Sequence, residues 1–254
     1  MSRPLLIGAL LCLSLTASAA PRRVVSLNLC TDQWLVMLAP DAVAGLTMLS
    51  RDPALSFVAS RAADLPVVRA SAEAVLARDP DLILATPFGA RAAVDLLIRL
   101  GAPVQRFDIP TDFPALRATL RRLAVMLERS DRAEALIADM DARLDASRPP
   151  PGPARRTLVW QPRGWTAGPG GFTDAILRAA GLSNMGSGQR IGLEALARDP
   201  PDLLVIPGDR AGPSLATDLA RHPALRDLTT RVLPTDLTIC PVPFSVRAVE
   251  RLVR

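Results

Sequence analysis

The chain has 254 residues, 49% of them hydrophobic and 22% charged, enough apolar content for one large core or two of ordinary size. Its formal charge is +5, with arginine supplying every basic side chain, yet Tyr is absent and aromatic residues make up only 4%. Scattered arginines without stacking aromatics or a basic arm exclude a nucleic-acid-binding module.

Residues 1–19 read as a secretory signal: Arg3 gives a positive start, residues 5–15 are apolar, and Ala17-Ser18-Ala19 is a small-x-small cleavage pattern. The predicted destination is the periplasm. Cys12 follows Leu11, not the small residue that precedes a lipid-attachment cysteine, and it leaves with the signal. Cys30 and Cys240 remain, one in each half, in a compartment where disulfides persist. A bridge between them would tie the halves together; two partly buried thiols near element ends are the alternative.

The first lobe is expected over residues 20–111. Residues 23–27 read as a strand, and Thr31 or Asp32 can cap a helix over 33–38. An apolar piece over 42–46 and a loop without strong periodicity over 47–70 follow. Ser71 then caps a short helix that carries Glu73 and ends before Pro80. Residues 81–85 are a strand, 89–100 a helix stopped by Gly101, and 104–107 a strand. This alternation argues for a parallel sheet covered by helices.

Residues 112–147 carry Leu116, Leu120, Leu123, Leu127, Leu136, Met140 and Leu144 at helical spacing. They are expected to form one long connecting helix reaching roughly 45 Å, with Ser130-Asp131 as a candidate short break. The second lobe, 148–254, restarts with a strand over 155–160 that echoes the first. A Gly-rich turn over 164–171 leads to a helix over 173–180 closed by Gly181. A second Glu-bearing helix, a strand over 202–206, a helical region over 214–228, a strand over 231–233 and a final helix from about 245 complete it. The expected fold is therefore α/β: two Rossmann-like lobes, each a small parallel sheet flanked by helices, joined by one backbone helix, with a cleft between them.

The two halves share a phrase. EAVLARDPDLILA starts at Glu73 and EALARDPPDLLVI at Glu194, so that Glu73 aligns with Glu194, Pro80 with Pro201 and Asp81 with Asp202. The chain has only three other glutamates, Glu128, Glu134 and Glu250. An acidic residue in the first turn of a helix suits the helix dipole, which explains each glutamate but not the matched pair.

Catalytic chemistry has little to work with. A nucleophilic relay needs a positioned histidine, and the only one, His222, sits beside Pro223 at an expected helix boundary. One histidine cannot build a zinc or iron site of the usual kind, and the absence of Tyr disfavours heme, leaving Met48 and Cys30 as the open candidates. Gly168-Pro169-Gly170-Gly171 lacks the lysine and spacing of a phosphate loop. Trp165, in that Gly-rich turn, is a candidate to contact a large planar or apolar ligand.

Several weak motifs in one order resemble a known family: residues 24–28 (VVSLN), the two glutamate phrases, the long connecting helix, and GWTAG at 164–168 followed by AAGLSN at 179–184. Across the whole mature chain the sequence resembles the cobalamin and ferric-siderophore periplasmic binding proteins, the solute receptors of ABC importers. The resemblance implies a linking helix that restricts lobe motion and a small-molecule metal chelate, a ferric siderophore or a corrinoid, held between the lobes. It implies no intrinsic cofactor, no resident metal, no catalysis and a monomer. It also implies that Glu73 and Glu194 dock onto arginines of an inner-membrane permease. Ligands of open α/β sheets lie at the carboxyl ends of strands, which selects Asn28, Leu29, Cys30 and Arg69 on the first lobe and Trp165, Arg190 and Asp236 on the second. Arg69 and Arg190, each just before a glutamate helix, leave room for an anionic chelate. An exported two-domain α/β enzyme with its site in the same cleft is the alternative.

Overall fold

The computed structural model describes residues 21–208 and 222–254. The predicted signal, 1–19, and most of the helical region predicted over 214–228 lie outside the described residues. Within the described part, that region holds a short 3-10 turn at Pro223–Leu225.

Two four-stranded parallel sheets form the frame. The first contains β1 (Val24–Ser26), β2 (Val43–Gly45), β3 (Leu82–Ala85) and β4 (Val104–Arg106) in the order β2-β1-β3-β4. The second contains β5 (Arg155–Val159), β6 (Leu182–Asn184), β7 (Leu203–Pro207) and β8 (Thr230–Leu233) in the order β6-β5-β7-β8. The same permutation in both halves is the structural form of the sequence repeat.

The repeated Pro-Asp pair has a local cause. Asp81 accepts hydrogen bonds from the backbone N–H groups of Arg22 (2.7 Å) and Arg23 (3.1 Å), and its own N–H donates to the Arg23 carbonyl. Asp202 does the same in the second half, accepting from the Arg156 N–H at 2.7 Å and donating to the Arg156 carbonyl. Each aspartate therefore pins the start of its strand to the start of the neighbouring strand, satisfying edge donors that no ladder reaches.

Helix α1 (Leu29–Leu38) starts earlier than predicted. Its cap is Asn28, whose side chain accepts from the Cys30 N–H, while Thr31 and Asp32 lie inside the helix and are buried. Thr31 is drawn inward because its hydroxyl pairs with Ser26 at 2.7 Å and donates to the Asn28 carbonyl. The loop over 47–70 includes a 3-10 turn (Met48–Arg51) and the short helix α2 (Ala59–Ala62). Ser71 caps α3 (Ala72–Leu76) as expected, accepting from the Ala74 N–H, and α4 (Arg91–Arg99) ends at Gly101, whose φ is +75°.

The single connecting helix is corrected to two, α5 (Phe113–Leu127) and α6 (Ser130–Ala146). Glu128 adopts φ 54° and ψ 45°, and the Arg129 N–H turns back to the Ala124 carbonyl, so the chain reverses without glycine or proline. The helices run antiparallel, since Arg117 pairs with Asp141 at 2.6 Å and Arg121 with Glu134 at 2.7 Å. At about 1.5 Å per residue each is roughly 22–26 Å long, half the expected rod. Helix α5 packs on α1 in the first half, while α6 packs on the last helix, α9 (Val246–Val253), where Arg143 forks onto Glu250 at 2.8 and 2.9 Å.

One hydrophobic core runs through both halves, joining Val24, Trp34 and Leu84 to Leu116, Met140, Ile176, Val205 and Val249. Each sheet covers a smaller cluster on its other face, around Val75 and Leu97 in the first half and around Leu158 and Leu196 in the second. The halves are also tied directly. Cys30 and Cys240 form a disulfide, the Trp34 Nε1–H donates to the Pro241 carbonyl at 2.7 Å, and Phe57 stacks on Phe244 with 4.2 Å between centroids. Arg247 lies over both of those rings.

Candidate functional site

Segments leaving the carboxyl ends of four strands converge on an open cleft of about 470 Å³ between the lobes. From the first lobe come Pro87 and Phe88 after β3, and Asp108, Ile109, Pro110 and Thr111 after β4. From the second come Gly171, Phe172 and Thr173 at the start of helix α7 (Phe172–Ala179), and Thr238, Ile239 and Pro241 after β8. The surface is apolar with a few hydroxyls and one carboxylate, the composition of a small-molecule site.

Phe88 is 63% exposed and Ile239 is 39% exposed, a cost in water that a bound apolar partner would relieve. Phe88 sits on a braced loop. Its carbonyl accepts from the Asn28 side chain (3.2 Å) and the Thr86 hydroxyl (2.8 Å), and its N–H donates to Thr86 Oγ1. Phe172 packs against Phe113 at 5.1 Å and so carries the cleft wall into the common core.

None of the seven sequence-predicted ligand residues lines this cavity. Asn28 stands behind it, capping α1 and holding Phe88. Leu29 is buried, and the sulfur of Cys30 is occupied by the disulfide, one residue before Pro241 on the other strand of the bond. Arg69 lines a separate cavity of about 430 Å³ on the first lobe with Met48, Val67, Val68, Ala74 and Arg78. Trp165 is 48% exposed and pairs through its backbone with Arg190, whose Nε–H donates to the Arg163 carbonyl. Asp236 lies in a 3-10 turn (Thr235–Leu237) just before Thr238; partial burial raises its pKa, opposed by Arg251 and Arg247. Phe88, Asp108, Phe172 and Ile239 were not selected from sequence. An apolar side chain stranded three to six residues past a strand end would have been the signal.

The Gly-rich turn is built against residues 184–188. Asn184 donates to the Ala167 carbonyl and to Asp174, and a Cβ at Gly186 would lie 2.1 Å from the Ala167 oxygen. Gly186→Ala is expected to cost about 1–3 kcal/mol, read as a lower midpoint in urea unfolding; an unchanged midpoint would contradict this packing.

Asp32 is fully buried beneath the first lobe's rim. Its carboxylate accepts from the Thr47 N–H (3.2 Å) and hydroxyl, holding the turn that begins with the exposed Met48. Burial pushes its pKa up to about 7, against hydrogen bonds from Ser26 and Thr47 that favour the charged form. The folded chain thus holds this proton more tightly than the unfolded one, whose ordinary value is 3.8. Stability is fullest below that value and falls as pH rises towards 7, by up to about 1.4 kcal/mol per pH unit. Thermal melts across this window should show the slope in the parent and its loss in Asp32→Asn; equal slopes would remove Asp32 as its source.

Glu73 and Glu194 are exposed in the first turns of α3 and α8 (Leu193–Arg198), the helices that lead into the equivalent strands β3 and β7. Hydrogen bonds from its own backbone N–H and from Ser71 keep the Glu73 pKa below the usual carboxylate range. Among the described residues no group of three or more His, Cys, Asp or Glu side chains is placed to hold a metal ion.

A periplasmic binding protein family model matches residues 24–230, which takes in the whole first sheet, β5, β6 and β7 of the second, and the cleft's first-lobe wall. The chain belongs to the periplasmic binding protein family. That family comprises substrate-binding proteins, and it implies a location in the periplasm or outside the cell. The cobalamin-binding proteins of two Halobacterium salinarum strains are 27% identical over 237 residues, covering 85% of this chain. The chain spans only 62% of the length of those relatives. A periplasmic heme-binding protein from Pseudomonas aeruginosa is 27% identical, with a TM-score of 0.69 and 91% of each chain covered. A possible iron-binding periplasmic solute-binding protein from Staphylococcus epidermidis shares the fold at 15% identity, with a TM-score of 0.75 and coverage of 92% and 98%.

Proposed function

We propose that this chain is the solute-binding component of an ABC importer, and that it captures a corrinoid or a ferric siderophore between its lobes. The observation that carries this reading is the open, largely apolar cleft at the carboxyl ends of both sheets, in a chain of the periplasmic binding protein family. The cobalamin-binding relatives support the corrinoid, and among the described residues none lining the cleft is a His, Met, Cys or Tyr that could ligate an open iron position of heme. Phe88 and Ile239 grip the cargo from opposite lobes, with Asn28 positioning Phe88. Trp165, Arg190 and Asp236 contact the parts of a large cargo that project beyond the cavity, Leu29 and Cys30 support its floor, and Arg69, in its separate first-lobe cavity, has no part in holding it.

In the same reading, residues 1–19 are removed on export to the periplasm, and the lobes of 20–111 and 148–254 are joined through 112–147. The shared core and cross-lobe ties favour a cleft that is largely formed before cargo arrives. Glu73 and Glu194 then present one carboxylate per lobe to the permease in the inner membrane. Thermal shift of the mature protein against cobalamin, cobinamide, ferric hydroxamates, ferric catecholates and heme tests the reading. Cargo at one hundred times its Kd should add about 2.7 kcal/mol to the folded state. No shift with any corrinoid or siderophore would reject the reading.

A further inference from the structure

Among the described residues the cleft carries one charge, and its sign is unexpected. The chain has 30 basic residues against 25 acidic ones, yet among the described residues no arginine lines the cavity, and Asp108 is the only charged side chain that does. Asp108 is exposed, two residues past the end of β4, and no group among the described residues hydrogen-bonds or ion-pairs with its carboxylate. Three neighbouring basic side chains are engaged elsewhere: Arg106 pairs with Asp95 at 2.6 Å, Arg117 pairs with Asp141 at 2.6 Å, and Arg122 stacks over Phe107 at 4.7 Å. Pro110 restrains the backbone that carries Asp108 by limiting Ile109 to extended conformations. The remaining polar side chains of the lining are the hydroxyls of Thr111, Thr173 and Thr238, which accept as readily as they donate.

We propose that Asp108 is a specificity determinant of the cleft, favouring cargo that presents amide or other hydrogen-bond donors to the first lobe and disfavouring cargo that presents carboxylates there. This rests on the receptor reading above and sharpens it. A carboxylate accepts from an amide N–H and gains by it, whereas a cargo carboxylate at the same place meets like charge with no guanidinium among the described lining residues to offset it. The selected class is an amide-fringed macrocyclic chelate, and the rejected class is the same kind of disc fringed with acids.

The test compares one macrocycle in two forms: dicyanocobinamide, with primary amides, and dicyanocobyrinic acid, with free carboxylates. Affinities are measured by calorimetry for the parent and for Asp108→Asn, whose exposed position and near-identical shape spare the fold, as circular dichroism will verify. The parent is expected to bind the amide form at least tenfold more tightly at low salt. Asp108→Asn should shrink that ratio by roughly five- to tenfold, chiefly by improving the acid form, and 0.5 M NaCl should shrink it in the parent, because screening weakens exposed charges. An unchanged ratio in Asp108→Asn, or a parent that favours the acid form, would overturn the proposal. So would a parent that binds neither form; ferric hydroxamate in the same assay then tells whether the receptor reading survives without it.

Discussion

Reversing both rim carboxylates, Glu73→Arg together with Glu194→Arg, is expected to abolish permease-dependent uptake while changing cargo affinity of the isolated receptor by less than about twofold. The reason is geometric. The two glutamates occupy the same place in two sheets of identical strand order, each in the first turn of the helix that leads into the third strand of its sheet. Neither lines the interlobe cavity, so the substitutions leave the cargo surface intact. A partner with two-fold symmetry would meet one carboxylate from each lobe, and two separated charges fix orientation where one cannot. Placing arginine opposite a basic partner replaces attraction with repulsion at both points, and like-charge juxtaposition at an interface costs several kcal/mol. The folded state itself loses only the helix-dipole contribution, which is small at exposed positions. Uptake is measured with labelled cargo in cells that make the matched permease, and affinity with purified protein. Normal uptake by the double variant would end the docking role, and each single variant should be intermediate.

How far the sequence reached depended on whether a feature was periodic or repeated. The glutamate phrases announced two equivalent units because the Pro-Asp pair does the same work twice, with Asp81 and Asp202 each clamping the start of an adjacent strand. Strand positions followed from short aliphatic runs bounded by turn residues. The reversal at Glu128 was not legible, because Glu128 and Arg129 are ordinary helix formers and the apolar spacing continues across them; burial of the apolar faces of both helices in the common core favours the reversal, and the ion pairs between the helices add little. The α1 cap was misplaced for a related reason. Thr31 and Asp32 are good caps in isolation, but here they serve tertiary partners, Ser26 and Thr47, that lie on other elements.

The cleft was the least legible part. The rule that ligands gather past strand ends pointed to the right edge of each sheet, but it selected Asn28, Leu29 and Cys30 directly after β1, Arg69 and Arg190 before the glutamate helices, and Trp165 and Asp236 on the second lobe. The wall is instead formed farther along the loops, by Phe88 and Ile239, whose environment depends on the opposite lobe. Arg69 shows the difference well. It is placed just before a glutamate helix, as the sequence indicated, yet it faces a separate cavity with Met48 and Arg78, so the argument for an anionic cargo loses its first-lobe support.

Breaking the Cys30–Cys240 disulfide is expected to lower global stability by about 2–5 kcal/mol without dismantling the cleft. The bond closes a loop with a sequence separation of 210, so in the chain-entropy picture its removal releases an unusually large denatured ensemble, worth up to about 5 kcal/mol at 25 °C. Native contacts argue that the seam survives locally. Trp34 still donates to the Pro241 carbonyl, Phe57 still stacks on Phe244 beneath Arg247, and the common core still spans both halves. Cargo affinity should therefore change by only a few-fold, whereas the unfolding midpoint should fall clearly. Urea unfolding of the oxidised protein, the dithiothreitol-reduced protein and Cys30→Ser with Cys240→Ser provides the comparison, with cargo titrations at low urea. The reduced parent guards against effects of serine at two buried positions, since it keeps both sulfurs. Coincident midpoints for oxidised and reduced protein would show that the bond contributes nothing to stability. If reduction abolished binding at urea concentrations where the fold persists, the disulfide, rather than the surrounding contacts, would be what holds Phe88 and Ile239 at their working separation.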